Sequence, residues 1–459
     1  MDIEENNKSD LVDDPSLKDY LKFILPSLLG ILLFIVPVRT EEGVTLPVAL
    51  VANWVVDRAG DVLPLVTMFL LCFAAIFTII TKWIKPRWIL DHRFYGGLFN
   101  VGYFWIVARV LGALFAVMTY WQLGPEMIWS KDTGGVAFFD LASLLVVIFL
   151  FAGLFLPLLL DFGLLELCGT LMSKIMRPVF TIPGRSAIDC VASWVGDGTI
   201  GVLLTSKQYE AGFYTKREAA VIGTTFSFVS ITFTIVVIDY IGLIHLFFQA
   251  YIALTVAGLS AALIMPRIPP LSWKPNTFYE SVQGEPRDIA PEAMSLWRWG
   301  IVLATARAGK VKGVLPVVKR GVQNVFDMWF GVVPVVVMLA TLANICVVYT
   351  PIFSYLGAPF VILLEWLRVP EAGEAGQTMV VGFADMLLPV VVAKEVVTDE
   401  FTKFVIATVS CTQLVYMSEI GALLLSSKVP VRFWELVVIF LERTLITLPI
   451  VVLMAHVLL

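Results

Sequence analysis

Charge is scarce in this chain: Asp, Glu, Lys and Arg make up 15% of its 459 residues, against about 25% in soluble proteins. With 59% apolar residues and a mean hydropathy of +0.88, the shortage excludes a soluble multidomain protein and a disordered chain. The charges present sum to -5, the wrong sign for coating nucleic-acid phosphates. Histidine (His92, His245, His456) and cysteine (Cys72, Cys168, Cys190, Cys346, Cys411) are few and scattered. No C-x-x-C pair occurs, so neither a disulfide framework nor a metal cluster is expected. A phosphate loop is missing too, since Gly309-Lys310 lacks the upstream glycine and the following Ser or Thr. No nucleophile–base pair stands out, and an enzyme is not expected.

What the chain has in abundance is long apolar runs. Nine are long enough for a hydrocarbon layer of roughly 30 Å: 20–38, 62–82, 96–121, 139–165, 219–240, 246–266, 327–350, 404–425 and 434–456. The acids before the first run (Asp2, Glu4, Glu5, Asp10, Asp13, Asp14) reverse the pattern of a cleavable signal, so that run is expected to stay as a membrane helix. Two shorter apolar stretches, 186–206 and 376–393, carry Asp197 and Asp385 near their midpoints. Each reads as a re-entrant hairpin of two half-helices, tolerated at membrane depth only where protein or a wet cavity surrounds it.

The basic residues support that reading. With both stretches re-entrant and the N-terminus inside, only Arg39, Arg58, Lys131, Arg368, Lys394 and Lys403 of the 32 Lys and Arg face outward. Lys22, Arg109 and Arg443 lie in spans, and the rest are cytoplasmic. If 186–206 crossed fully, the basic loop 267–320 would face outward, against the positive-inside rule.

Shifted by 187 residues, the sequence begins to match itself. Phe139-Asp140 falls on Phe326-Asp327, Lys207 on Lys394, Thr215-Lys216 on Thr402-Lys403 and Thr225 on Thr412. Asp197 meets Asp385 at 188. The expected fold is an all-α polytopic membrane protein of about nine transmembrane helices plus two re-entrant hairpins, arranged as an inverted-topology repeat. Its parts are an acidic cytoplasmic tail (1–19), a three-helix region (20–138), repeat one (139–266), a cytoplasmic linker with an interfacial helix (267–326) and repeat two (327–456). The C-terminus then lies outside.

The runs 183–230 (PGRSAIDCVASWVGDGTIGVLLTSKQYEAGFYTKREAAVIGTTFSFVS) and 373–395 (GEAGQTMVVGFADMLLPVVVAKE) resemble the YjiH family of bacterial inner-membrane proteins. That family carries the nucleoside recognition, or Gate, domain. Related domains occur in concentrative nucleoside transporters, spore maturation proteins and ferrous-iron transporters. The Gly-Gln-Thr-Glu hairpin signature of nucleoside transporters is absent, because Gly376-Gln377-Thr378 is followed by Met379. The resemblance implies a bacterial inner-membrane location, and as partner a small YjiG-like membrane protein or a second copy of this chain.

Acids at membrane depth are costly and usually functional. Asp197 and Asp385 are expected to bind a coupling cation or a cationic part of a solute, with helix capping as the alternative role. In 404–425, Thr408, Thr412, Tyr416 and Glu419 form one helical stripe, with Gln413 and Ser418 beside it and Thr225 in the matching helix. Asn344 is a further candidate. Asp140 and Asp327 are expected to begin their helices, and Glu442 to seek a distant partner such as Arg109. The function expected is secondary transport of a small polar solute, with Na+ or H+ as the candidate coupling ion. The alternative is a non-transporting membrane subunit that scaffolds or gates a complex.

Overall fold

In the computed structural model, residues 16–36, 38–40, 43–196, 198–226, 229, 231–279 and 294–459 are described. Six helical stretches among them are long and apolar enough to cross a membrane: Leu63–Trp83, Tyr103–Trp121, Glu126–Leu160, Ile244–Arg267, Val314–Tyr349 and Phe433–Leu458. Large apolar side chains such as Phe69, Phe104 and Leu453 stay exposed on them, as lipid-facing surfaces require. This is a multi-pass helical membrane protein. The first helix, Leu17–Phe34, starts on a reciprocal cap between Ser16 and Asp19 and contains Pro26. A short antiparallel pair, Val38–Thr40 with Gly43–Thr45, follows it.

Several expected boundaries move. The run 139–165 belongs to a helical stretch that already begins at Glu126, and 327–350 to one that begins at Val314. Both contain a wide-turn π segment, Lys131–Ala142 and Asp327–Val332. Asp140 and Asp327 therefore sit inside continuous helices rather than at helix starts. The basic segment before 327 holds two helices. Leu296–Gly309 packs against Leu164–Ile175 and Leu17–Phe34, while Val314–Phe326 opens the second long stretch. Arg307 and Arg320 reach Asp161 at 3.5 Å and 2.8 Å.

Two expected spans are broken. The run 219–240 is Lys216–Thr225 followed by Ile231–Tyr240, and 404–425 is Glu400–Gln413 followed by Ile420–Ser426. The two interruptions occupy corresponding places in the sequence. Indeed one order of elements runs twice: long helix with a π segment, connecting helix (Leu164–Ile175, then Ile352–Trp366), two short arms, broken helix, final helix. The arms are Ser186–Val191, continuing to Gly196, with Gly198–Glu210, and later Ala372–Val381 with Leu388–Val396. At about 1.5 Å per residue none of these arms spans the hydrocarbon layer alone.

The N-terminal helices wrap this pair of units. Leu17–Phe34 and Pro47–Ala59 pack on Ser143–Leu160, while Leu63–Trp83 packs on Tyr103–Trp121, which packs on Val333–Tyr349. Arg109 is buried there and donates to Thr78 Oγ1 and the Leu98 carbonyl, both at 2.9 Å. Its acidic neighbour is Asp327 of the second long helix, not Glu442.

Candidate functional site

The arms and the broken helices converge on one cavity of about 270 Å³. Its wall takes Asp140 from the first long helix, Asn344 from the second, Gly198 from the first pair of arms and Asp385 from the second. Val229 and Phe233 come from around one interruption, and Tyr416, Ser418 and Glu419 from the other. Four expected site residues are thus brought together: Asp385, Asn344, Ser418 and Glu419. Asp197 lies outside the described residues, next to Gly198.

The second interruption explains how these side chains gather. Leu414 takes a left-handed φ of 58°, a strain on the order of 1–3 kcal/mol for a branched residue. The freed backbone is satisfied by the turn between the arms: Met417 N–H donates to the Phe383 carbonyl at 2.7 Å and Ser418 N–H to the Ala384 carbonyl at 2.8 Å. Tertiary bonds thereby replace the helical ladder, as membrane depth demands. Thr408, Thr412, Tyr416 and Glu419 consequently form no continuous stripe, because the helix stops at Gln413. Tyr416 OH instead approaches Glu419 Oε2 at 3.4 Å across the unwound segment.

Asp385 Oδ1 accepts the Leu387 N–H at 2.7 Å, just ahead of the arm starting at Leu388, and the residue also lines the cavity. Asn344 donates from Nδ2 to the Thr133 carbonyl at 3.3 Å, which ties the two long helices together beside the cavity.

Thr225, Thr412 and Gln413 are not in the cavity wall. Thr225 and Thr412 meet Arg443, a fully buried guanidinium. Arg443 donates from Nε to the Thr412 carbonyl and from Nη1 to the Thr225 carbonyl, the latter at 3.3 Å. Those carbonyls close the first halves of the two broken helices, where the helix dipole concentrates negative charge. One cation therefore serves both ends. Thr412 Oγ1 donates to the Val409 carbonyl at 2.8 Å and lies 3.0 Å from Thr447 Oγ1, whose hydroxyl can donate to it. Gln413 Nε2 donates to the Met379 carbonyl at 2.7 Å and to Thr444 Oγ1 at 3.0 Å. A Cβ at Gly382 would lie 2.0 Å from Gln413 Oε1, so glycine is required for this amide to fit.

Comparison with known proteins fixes the lineage. The family profile described as nucleoside recognition (Gate) matches residues 142–244. An uncharacterized protein of Alkalihalophilus pseudofirmus is 51% identical over 437 residues, covering 95% of this chain and 94% of its own. The chain belongs to the nucleoside-recognition (Gate) family. No solved structure matches it. The Gate match covers the first unit from its long helix to the Ile231–Tyr240 half-helix, so both arms of that unit and its interrupted helix are Gate elements.

Sequence reasoning missed Asp140 as a cavity residue because it assigned that acid to a helix start. Tyr416 and Glu419, expected on one helical stripe, are neighbours, but the continuous helix expected there concealed the unwinding that brings them together.

Proposed function

We propose that this Gate protein is a secondary transporter that carries a small polar solute by alternating access. The observation behind this reading is the cavity in which Asp140, Asp385 and Glu419 face one space where arm tips and helix interruptions converge. Discontinuous helices meeting at the midplane are the usual binding architecture of inverted-repeat transporters. Three carboxylates beside Asn344, Ser418 and Tyr416 suit a solute with a cationic or hydroxyl-rich part, or a coupling Na+ or H+. The volume lies near the lower edge of the about 300–1,000 Å³ usual for ligand pockets, which favours a small cargo. Nucleosides are suggested by the family description alone.

The arms are re-entrant hairpins in this reading, and the two units run in opposite directions. The distribution of Lys and Arg supports both statements and puts Lys207 on the cytoplasmic side of the inner membrane. Lys207 is bonded to Asp327 at 2.6 Å and to Glu210 at 3.4 Å. Under the repeat offset, the matching pair across the membrane is Lys394 with Asp140. No ion pair joins those two: Lys394 Nζ rests 4.3 Å from the Tyr240 ring centroid, and Asp140 faces the cavity. In this reading the Lys207–Asp327 pair is a latch on the cytoplasmic side. The opposite state forms the Lys394–Asp140 contact and releases Lys207 from Asp327.

The test is uptake by purified protein in liposomes, with nucleosides, amino acids, dipeptides and metal ions as probes under imposed Na+ or H+ gradients. Asp385→Asn and Glu419→Gln should each abolish uptake while leaving thermal stability close to wild type. If no probe moves, with or without the small companion membrane protein, the transport reading is overturned.

A further inference from the structure

The first hairpin buries an acid that the cavity does not use. Asp189 is 1% exposed, on the arm Ser186–Val191. Its Oδ2 lies 2.9 Å from the Tyr214 hydroxyl and 3.2 Å from Thr205 Oγ1 on the opposing arm, while Oδ1 has no hydrogen-bond partner. A carboxylate so buried needs a cation, since an unpaired charge in a low-dielectric interior is prohibitive. Yet the neighbouring cation is engaged elsewhere. Arg185, one turn earlier, reaches Glu166 at 3.5 Å and lies over the Phe213 ring at 3.6 Å.

Hydrogen counting points the same way. Thr205 Oγ1 is also 2.9 Å from the Gly201 carbonyl, and a hydroxyl has a single hydrogen to give. That hydrogen cannot serve Gly201 and Asp189 together. A proton on the carboxyl resolves the conflict: the acid donates to Thr205 Oγ1, and Thr205 donates to the Gly201 carbonyl.

The second hairpin shows that the fold does not require this arrangement. In the register set by Lys207 with Lys394 and Thr215 with Thr402, Val392 stands at the place of Thr205 and Phe401 at that of Tyr214. The acid of the corresponding arm Ala372–Val381, Glu374, is exposed. The same hairpin therefore forms with apolar groups at these positions.

We propose that Asp189, with Thr205 and Tyr214, is a proton-binding site built into the first hairpin, and that it loads and releases the coupling proton. Ser193, one turn onward, carries a buried hydroxyl without a partner. A Cβ at Gly201 would lie 2.8 Å from that hydroxyl and 3.3 Å from the Asp189 carbonyl, so the arms touch along this line. The π segment Ala192–Gly196 continues from it to Gly198 in the cavity wall. Around the acid, the titratable and charged groups are Arg185 and Cys190 on its own arm, Tyr214 on the following turn and Glu166 on the connecting helix. On the helix Lys216–Thr225, Arg217 donates to the Pro266 carbonyl and Glu218 caps Thr215. Arg185 is the cation that stabilises the ionised form once the proton has left.

The coupling role rests on the transport reading, but the proton site does not, so the test reads the proton itself. Infrared spectra of the full-length protein in liposomes are recorded from about pH 5 to about pH 9. Wild type should show a carboxylic-acid C=O stretch at neutral pH that fades as pH rises and is missing in Asp189→Asn. Tyr214→Phe retains the acid but removes one hydrogen bond, so the band should move to higher frequency. That shift keeps the test decisive if Asp189→Asn fails to fold. Identical wild-type and Asp189→Asn spectra overturn the proposal. So does a band unchanged over the whole range, or one removed by Na+ at fixed pH. If the band titrates while no probe is transported, the proton site stands and the transport reading falls.

Discussion

Lys207 and Lys394 hold corresponding places at the ends of the two pairs of arms, yet their surroundings differ. Lys207 is locked to Asp327 at 2.6 Å, with Glu210 beside it. Lys394 makes a cation–π contact with Tyr240 and leaves Asp140 to the cavity. The backbone elements around the two lysines follow the same order, so under the transport proposal their difference is one of state rather than of architecture. A symmetric sequence pattern in an asymmetric structure is what a two-state device built from two equivalent halves requires.

The comparison is sharpest where the halves share a part, and the largest effect is expected there. Arg443 closes both broken helices through the Thr225 and Thr412 carbonyls. Arg443→Met keeps the length of the side chain and removes both bonds. Hydrogen bonds from a charged donor contribute about 1.5–3 kcal/mol each, and relief of the buried charge offsets part of the loss. A net loss of about 3 kcal/mol is expected, read as a lower Tm in detergent. A Tm within a degree or so of wild type would mean that the two ends are held by something else.

Next comes the lysine pair itself. Lys207→Met removes the direct partner of the partly buried Asp327, a cost of about 2 kcal/mol after discounting a fully buried pair for partial exposure. Lys394→Met loses only a cation–π contact, worth about 1 kcal/mol or less. The first variant should also speed thiol labelling of a Ser427→Cys probe, since Ser427 lines the small cavity beside Asp327 and Lys428. Equal destabilisation by the two lysine variants, with no change in labelling, would abolish the distinction between a closed and an open side.

Sequence carried much of this and hid a specific remainder. Hydropathy places the cores of the long helices because apolar length alone decides them. The offset of 187 pairs Lys207 with Lys394 before any coordinates do. The unwinding after Gln413 was illegible, because Leu414, Val415, Tyr416 and Met417 are apolar and helix-compatible, with no Gly or Pro to mark a break. It exists through bonds to Phe383 and Ala384, which lie about thirty residues away and have no local signature. The helix starts at Glu126 and Val314 were hidden for the converse reason. Gly134 and Gly135 are poor helix formers, and the cations before 327 suit a separate surface helix, so neither segment reads as continuous with the apolar run that follows it. Of the site, Asp385, Glu419, Ser418 and Asn344 reach the cavity, whereas Thr225, Thr412 and Gln413 brace it from behind.

The smallest expected effect concerns how the two hairpins are tied at their bases. The first uses Arg185 with Glu166 and a reciprocal cap between Thr215 and Glu218. The second uses a carboxylate on backbone: Glu371 accepts the N–H of Thr398 at 2.7 Å and of Asp399 at 3.1 Å, with the Thr398 hydroxyl on its other oxygen. The Thr398 hydroxyl first, then these N–H groups, hold the Glu371 carboxyl below its ordinary range. Because the folded value is depressed, the stabilisation is complete above the unfolded value of about 4.3 and is lost as pH falls through the folded one. Glu371→Gln should therefore lower Tm slightly at neutral pH, and the gap from wild type should narrow as the medium is acidified below that range. A Glu371→Gln deficit constant across the acid range would show that the second hairpin is not tied through the ionised carboxylate.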